Sequence, residues 1–395
     1  VLKTTPGGAA VDLTATLVGI DSVSPSLVPD AAGEARIASH LSDRLTAAGY
    51  AVRFIPAPSD PRRVSLIAER TGSRPGRTVV LNGHLDTVGV EGMPDPFTPR
   101  IESGRLYGRG ASDMKGGVAG LVVAAEQLAA ADAPGTIIVA LVADEEDASV
   151  GAEAVLKELV GREMDLCLIA EPTWLDIAAA HRGYAVVDVA FRGRAAHSSQ
   201  PDEGVDTIRA LGQLLTAIAD ADDALRRRPM HPLLSHGSLM GTVVRAGSAP
   251  FSVAATADIV VERRMLPGEF PAQALDEVRA LVDPIVAATP RLESEVRLTH
   301  ARDAWQADAA GAAAEFTDLL ADALRSSGAP APDAVGAPYW MESALWQAAG
   351  VPTVVCGPAG GGLHAVDEWV EVAQLEQFAV AVTDAVGRFL AANWK

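Results

Sequence analysis

The sequence predicts an α/β fold with a layered larger part and an inserted β-α-β-β-α-β module. Three observations predict it. Between residues 51 and 170, short apolar runs of strand length alternate with longer segments at helical spacing. After His181 the order changes to strand, helix, two strands, helix, strand, and after Asp303 the helix-strand alternation returns. At 395 residues the chain is also too long for one ordinary core. The expected division is 1–181, 182–300 and 301–395, with the middle segment inserted between two parts of one domain.

The elements follow in order. Residues 10–20 and 33–49 read as helices. Residues 50–55 and 64–69 read as strands around the loop 56–63, and 71–77 is a Gly/Pro/Ser/Arg turn. The apolar run 78–81 is a buried strand. The Ala-rich stretch 116–131 is a helix, 137–142 a strand, 150–160 a helix and 166–170 a strand. In the insertion, 183–191, 237–245, 253–264 and 293–299 are strands, while 206–219 and 271–288 are helices. This is a split-βαβ, or ferredoxin-like, order. The return reads helix over 313–326, helix over 342–349, strand over 352–356 leading to His364, and helix over 373–392.

Composition narrows the function. Apolar residues make up 49% of the chain, which predicts a globular protein. Its apolar runs fall far short of the roughly 20 residues a membrane helix needs. The opening VLKTTPGGAAVDL has no basic segment followed by an apolar one, so no secretion signal is expected. The net charge of -19 argues against nucleic acid, which needs a basic footprint. Two cysteines, Cys167 and Cys356, make no disulfide framework and fit a reducing, cytoplasmic setting.

The strand ends carry the chemistry. The strand over 78–81 runs into Asn82-Gly83-His84-Leu85-Asp86. The segment Tyr107-Gly108-Arg109-Gly110 leads into Ser112-Asp113-Met114-Lys115. The strand over 137–142 ends on Asp144-Glu145-Glu146-Asp147, that over 166–170 on Glu171-Pro172-Thr173, and that over 352–356 on Gly357-Pro358 and then His364. Open α/β sheets place ligand sites at such edges. A carboxylate after a strand is ordinarily just solvated. A His, Asp or Glu after four strands points instead to a metal shell.

HLDTV, GRGASDMKGG, ADEED, EPT and the late GLH together look like the dizinc amidohydrolase and metallopeptidase family. That family includes acetylornithine deacetylase, succinyl-diaminopimelate desuccinylase, aminoacylase and glutamate carboxypeptidases. The motifs span 84–371 in the family's order, and the set is specific although each piece alone is weak. The resemblance implies a catalytic α/β domain with an inserted lid domain that often dimerises. It implies two zinc ions, with cobalt or manganese as alternatives. Asp113 would bridge them, His84 and Glu171 would complete one shell, and Glu146 and His364 the other. The peptide after the bridging Asp is often cis in the family.

Further roles are expected on the same footing. Asp86, two residues after His84, lies on the same side of an extended chain and is expected to accept the other imidazole N–H. By resemblance Glu145 is the free carboxylate that moves the proton from the attacking water to the leaving amine. An acidic run such as 144–147 would alone read as a solvated surface. His197, in Ala-Ala-His-Ser-Ser, resembles the family's oxyanion donor, and Arg264, in Arg-Met-Leu-Pro, its substrate-carboxylate holder. Arg263 would point to the opposite strand face and be structural.

Two positions depart from the family pattern. Phe251 and Ala254 stand where relatives commonly carry Asn-x-x-Pro. Met341-Glu342 stands where a Thr-Asp pair is common, which puts Glu342 as a substrate-binding acid near the mouth of the site. These departures leave hydrolysis intact and count against acetylornithine itself. Other chemistries find no support. Asp113 replaces the last glycine of a dinucleotide fingerprint, and neither a Gly-x-Ser-x-Gly elbow nor a phosphate-binding glycine loop exists. The expected activity is hydrolysis of an N-acyl amino acid by a homodimer, with a dipeptidase or carboxypeptidase as the alternative.

Overall fold

The computed structural model describes residues 5–392. Residues 1–4, part of the stretch used for the leader reading, lie outside them. The chain forms two compact units. One takes the described residues up to Ala179, Ala307–Val335 and those from Met341 on. The other takes Ala180–Gln306 and Gly336–Trp340.

In the first unit, α1 (Pro6–Val18) begins earlier than the periodicity suggests, because Thr5 caps it and Pro6 fits its first position. Helix α2 (Ala35–Ala47) is flanked by Gly33 and Gly49, both with positive φ. Then come β1 (Ala51–Pro56), β2 (Val64–Thr71), β3 (Thr78–His84), and the short β4 (Arg100–Glu102) and β5 (Arg105–Tyr107). A tight π-type turn, Ala111–Lys115, opens α3 (Gly116–Ala130). Strand β6 (Thr136–Val142), α4 (Val150–Glu158), β7 (Leu166–Ile169) and β8 (Ile177–His181) follow.

The second unit holds β9 (Gly183–Arg192), α5 (Thr207–Arg226), β10 (Ser238–Ala246), β11 (Thr256–Met265), α6 (Pro271–Ala288) and β12 (Glu293–Arg302). They form the antiparallel sheet β10-β11-β9-β12. Strands β9 and β11 alternate buried with half-buried residues, as a sheet covered on one face does. Val187, Val189 and Phe191 on β9 pack with Leu211, Leu214 and Ile218 of α5 and Val278 and Val282 of α6. Helix α5 outruns its expected end at 219: Leu225 is buried, and Arg226 pairs with Asp222 at i,i+4. The two-residue β13 (Trp305–Gln306) pairs with the end of β8.

The chain returns through α7 (Gly311–Ser326), β14 (Ala334–Ala337), α8 (Ser343–Ala348), β15 (Thr353–Val355), β16 (Gly360–Gly361), β17 (Trp369–Glu371) and α9 (Val372–Ala391). The large sheet has the order β1-β2-β6-β3-β7-β15-β8 along its path. Its centre, β6-β3-β7-β15, is parallel. Strands β3 and β6 are buried at every position after the first, as parallel strands covered on both faces are. Helix α3 is buried nearly throughout, against residues of α1 and α9 including Leu13, Phe378 and Val382. Each such large apolar side chain contributes roughly 1.5–3 kcal/mol by its burial.

The sequence reading missed β8, β13, β14 and the small sheet β16-β17-β5-β4. These strands are two to five residues long, too short for alternation to register.

Candidate metal centre

The parallel strands β3, β6, β7 and β15 lie side by side, so their carboxyl ends share one edge of the sheet. His84 is the last residue of β3 and sits opposite Val142 of β6. Glu145 and Glu146 follow β6, Glu171 follows β7, and His364 lies in the loop from β16 to β17. Asp113 arrives from the turn that opens α3. Gly117 permits this approach, since a Cβ there would come within 2.1 Å of the Ala170 carbonyl oxygen, next to Glu171. The Asp113–Met114 peptide is cis, as the resemblance implies.

The carboxylate of Asp113 faces two imidazoles. Its Oδ1 lies 3.0 Å from His84 Nε2 and its Oδ2 3.4 Å from His364 Nε2. His364 Nε2 is also 3.1 Å from Glu146 Oε2. Ligand atoms of His84, Asp113 and Glu146 form one cluster within 4.8 Å, and those of His84, Glu145 and Glu171 form another. The structure thus brings together all five residues expected to hold metal, with Glu145 beside them.

Asp86 is arranged differently from the expectation. His84 Nδ1 donates to the backbone carbonyl of Asp86 at 2.9 Å, while the Asp86 carboxylate is 3.8 Å away. The carboxylate accepts instead from the backbone N–H groups of Glu145, at 3.1 Å, and Glu146, at 3.3 Å. The tautomer is still fixed, because a carbonyl only accepts; Nδ1 carries the proton and Nε2 presents its lone pair.

Arg63 stands behind this arrangement, and the sequence reading had left it at the end of a loop. Its buried guanidinium donates to Glu34, Asp144, Ser24 and Ser26, and lies 3.8 Å from the Asp86 carboxylate. No local pattern announces it, since its partners come from residues 24 to 144.

The site is crowded with acid. Burial and the neighbouring Asp113 push Glu146 up to about 7. Burial raises Glu171 to about 8, against the opposing pull of His84. Burial and Glu171 raise Glu145 well above the carboxylate range, and burial does the same to Glu342. Hydrogen bonds to Asp113 and Glu146 raise His364 to about 10. For His84, burial alone would lower the pKa, but Asp113 and Glu171 outweigh it and raise it.

These residues fit divalent cations. His84 Nε2 points a lone pair at a carboxylate oxygen 3.0 Å away, which is repulsive without a cation or proton between them. Glu146 Oε1 is buried with no hydrogen-bond partner. Imidazole nitrogens with carboxylate oxygens are the donor set of zinc and similar ions.

The remaining candidates are placed as follows. Glu342 is 2% exposed with Oε1 unpartnered, in the field of His84, Glu171 and Asp86. Glu342 was expected as an acid near the mouth; at the start of α8 its side chain is buried. In the second unit, His197 is exposed and its Nδ1 accepts the Ser199 N–H at 3.2 Å, so a neutral ring carries its proton on Nε2. Arg264 Nε donates to Glu262 at 2.7 Å. Arg263 is buried and paired with Glu269 and Glu277. Phe251, 80% exposed with φ +63, accepts the Ser198 N–H beside His197.

The profile of the peptidase family M20/M25/M40 matches residues 80–388. An acetylornithine deacetylase of Myxococcus xanthus is 29% identical over 360 residues, 88% of this chain and 90% of the relative. A succinyl-diaminopimelate desuccinylase of Acidovorax ebreus is 35% identical over 216 residues, 49% of this chain and 54% of that protein. The structure resembles that of Bacillus subtilis YXEP, described as a dinuclear metal binding peptidase, with a TM-score of 0.72, 16% identity and coverage of 96% and 98%. With its profile match running from β3 into α9, the chain belongs to the peptidase family M20/M25/M40 and is a metal-dependent amidohydrolase.

Proposed function

We propose that this protein is a dizinc hydrolase that cleaves the amide bond of an N-acyl amino acid, with acetylornithine-like and succinyl-diaminopimelate-like compounds first. The observation that carries the reading is Asp113 held between His84 and His364, with Glu145 beside the same cluster. His84, Asp113 and Glu171 would hold one ion, and Asp113, Glu146 and His364 the other; cobalt or manganese suits the same donors. Two such ions supply Lewis acidity toward the amide carbonyl and an acidified water.

The chain's own groups do the rest. Glu145 takes a proton from the attacking water and delivers it to the leaving amine nitrogen. His197 donates Nε2–H to the developing oxyanion, and Arg264 holds the substrate carboxylate. Glu342, which feels His84, Glu171 and Asp86, is the further substrate-binding acid. The segment 182–300 acts as lid and dimerisation domain between the catalytic segments 1–181 and 301–395.

The homodimer forms through that domain. Strand β10 lies at the edge of its sheet and exposes Met240, Val243 and Val244, and α5 exposes Ile208 and Leu215. Two buried free cysteines suit a cytoplasmic location. No described helix is long and apolar enough to cross a membrane.

A hydrolysis panel on metal-reconstituted protein tests the proposal. It contains N-acetylornithine, N-succinyl-diaminopimelate, other N-acyl amino acids and several dipeptides. Acyl release that disappears in Glu145→Gln, with both ions retained, supports the deacylase. Cleavage of dipeptides alone moves the reading to a peptidase, which the family name also admits.

A further inference from the structure

We propose that Glu368 and Arg109 form a clasp that holds the Asp113 turn in register with the His364 loop and thereby sets the affinity for the metal pair. Neither residue is a ligand. Both are positioning residues, and the inference rests on the metal reading above.

Glu368 is 1% exposed, and both of its carboxylate oxygens are committed. Oε1 accepts the backbone N–H groups of Ser112 and of Asp113 itself, each at 3.0 Å. Oε2 accepts the Gly110 N–H at 2.8 Å and Arg109 Nη1 at 2.7 Å. The Glu368 carbonyl accepts the Gly108 N–H at 3.1 Å. Glu368 therefore grips the turn from 108 to 113 at five points, the last of them the peptide nitrogen of the bridging ligand.

Arg109 grips the other side. Its Nη2 donates to the carbonyl of Ala365 at 3.0 Å, the residue after His364. His364 is the most exposed of the five ligands, with a side chain 55% accessible and φ +61, so its own packing fixes it little. Its loop is held by β16 and β17 at the two ends and by Arg109 near the middle. One ion pair thus touches the backbone at Asp113 and beside His364, the two ligands that meet at Asp113 Oδ2.

Stability alone does not account for the pair. A buried ion pair is costly to desolvate, and apolar residues of similar volume are often as stable. What an apolar side chain cannot do is orient the three backbone donors of Gly110, Ser112 and Asp113. Groups that orient metal ligands typically change metal affinity by 10–100-fold when removed.

The test is zinc affinity by chelator competition, with cobalt(II) absorption as a signature of ligand geometry, on Glu368→Gln and Arg109→Lys. Glu368→Gln turns an acceptor into a donor facing backbone N–H groups. Arg109→Lys keeps the charge but loses the fork, and serves if the first variant folds poorly. Circular dichroism on the same samples gives the folded fraction. The expected result is about 10–100-fold weaker binding of at least one ion by folded protein, with an altered cobalt spectrum. Wild-type affinity for both ions in both variants overturns the proposal. So does a loss of binding that matches the unfolded fraction, which would leave the clasp a folding element only. The titration needs no turnover, so a two-metal wild type inactive on the whole panel counts against the proposed N-acyl amino acid substrates and leaves this result standing.

Discussion

The carboxylate of Asp86 accepts the backbone N–H of Glu145 at 3.1 Å. Its other oxygen takes the N–H of Glu146 at 3.3 Å. Two adjacent glutamates can serve different ends only if the backbone between them is fixed, and Asp86 fixes it. Asp86→Ala is therefore expected to lower kcat by about 10–100-fold, with a smaller effect for Asp86→Asn, which keeps one acceptor. If Asp86→Asn is as impaired as Asp86→Ala in steady-state kinetics, charge rather than the clamp is what matters.

Arg63 is the counter-ion behind that clamp. Removing it strands Glu34 and Asp144 without their buried partner. Arg63→Met is expected to cost about 3–5 kcal/mol in urea unfolding of the metal-free protein. A loss below 1 kcal/mol would mean that water enters and solvates the carboxylates.

The metal-free site should make stability fall with pH. Burial raises Glu146 to about 7 and Glu171 to about 8 from an ordinary 4.5, and hydrogen bonds raise His364 to about 10 from 6.5. A folded-state pKa above the unfolded one means that the folded form binds more protons between the two values. The contribution is full below the unfolded pKa and is lost as pH rises through the folded one. Asp113, held low by its histidines despite burial, has the opposite sign but only below about pH 4. Metal displaces these protons. The gap in Tm between zinc-loaded and metal-free protein is thus expected to widen from pH 5 to pH 8. A constant gap would mean that these acids are not metal ligands.

Phe251 holds φ +63 while 80% exposed, a backbone state that Asn adopts at lower cost than Phe. Phe251→Asn is expected to stabilise the second unit by about 1 kcal/mol, read by urea unfolding. Its effect on the substrate panel shows independently whether the ring touches substrate. No gain in stability would show that the segment relaxes around phenylalanine.

The residue types were legible because a His, Asp or Glu follows each of several apolar strands, which together point to a metal shell. Which of them would hold an ion, Glu146 rather than Glu145 included, came only from the family resemblance. Turns such as those of Asp113 and His364 carry no periodicity that would place them. Glu368, Arg63 and the carbonyl role of Asp86 were not legible at all. Glu368 and Asp86 act through backbone groups, which every residue shares, and the Arg63 guanidinium gathers side chains from residues 24 to 144 that no local window contains.

By itself the sequence determined the α/β alternation, the inserted β-α-β-β-α-β segment and an acid-rich strand edge with two histidines, because these depend on local periodicity and residue chemistry. Only the tertiary structure decided that Asp113 meets His84 and His364, that Glu342 is buried, and that Arg109 and Glu368 join turns 255 or more residues apart. Parallel β6-β3-β7-β15 pairing and the close approach at Gly117 bring the ligands together, and the β17–β5 pairing sets Glu368 beside the turn of Arg109. Contacts made across such separations depend on packing of the whole unit, which no window of residues contains.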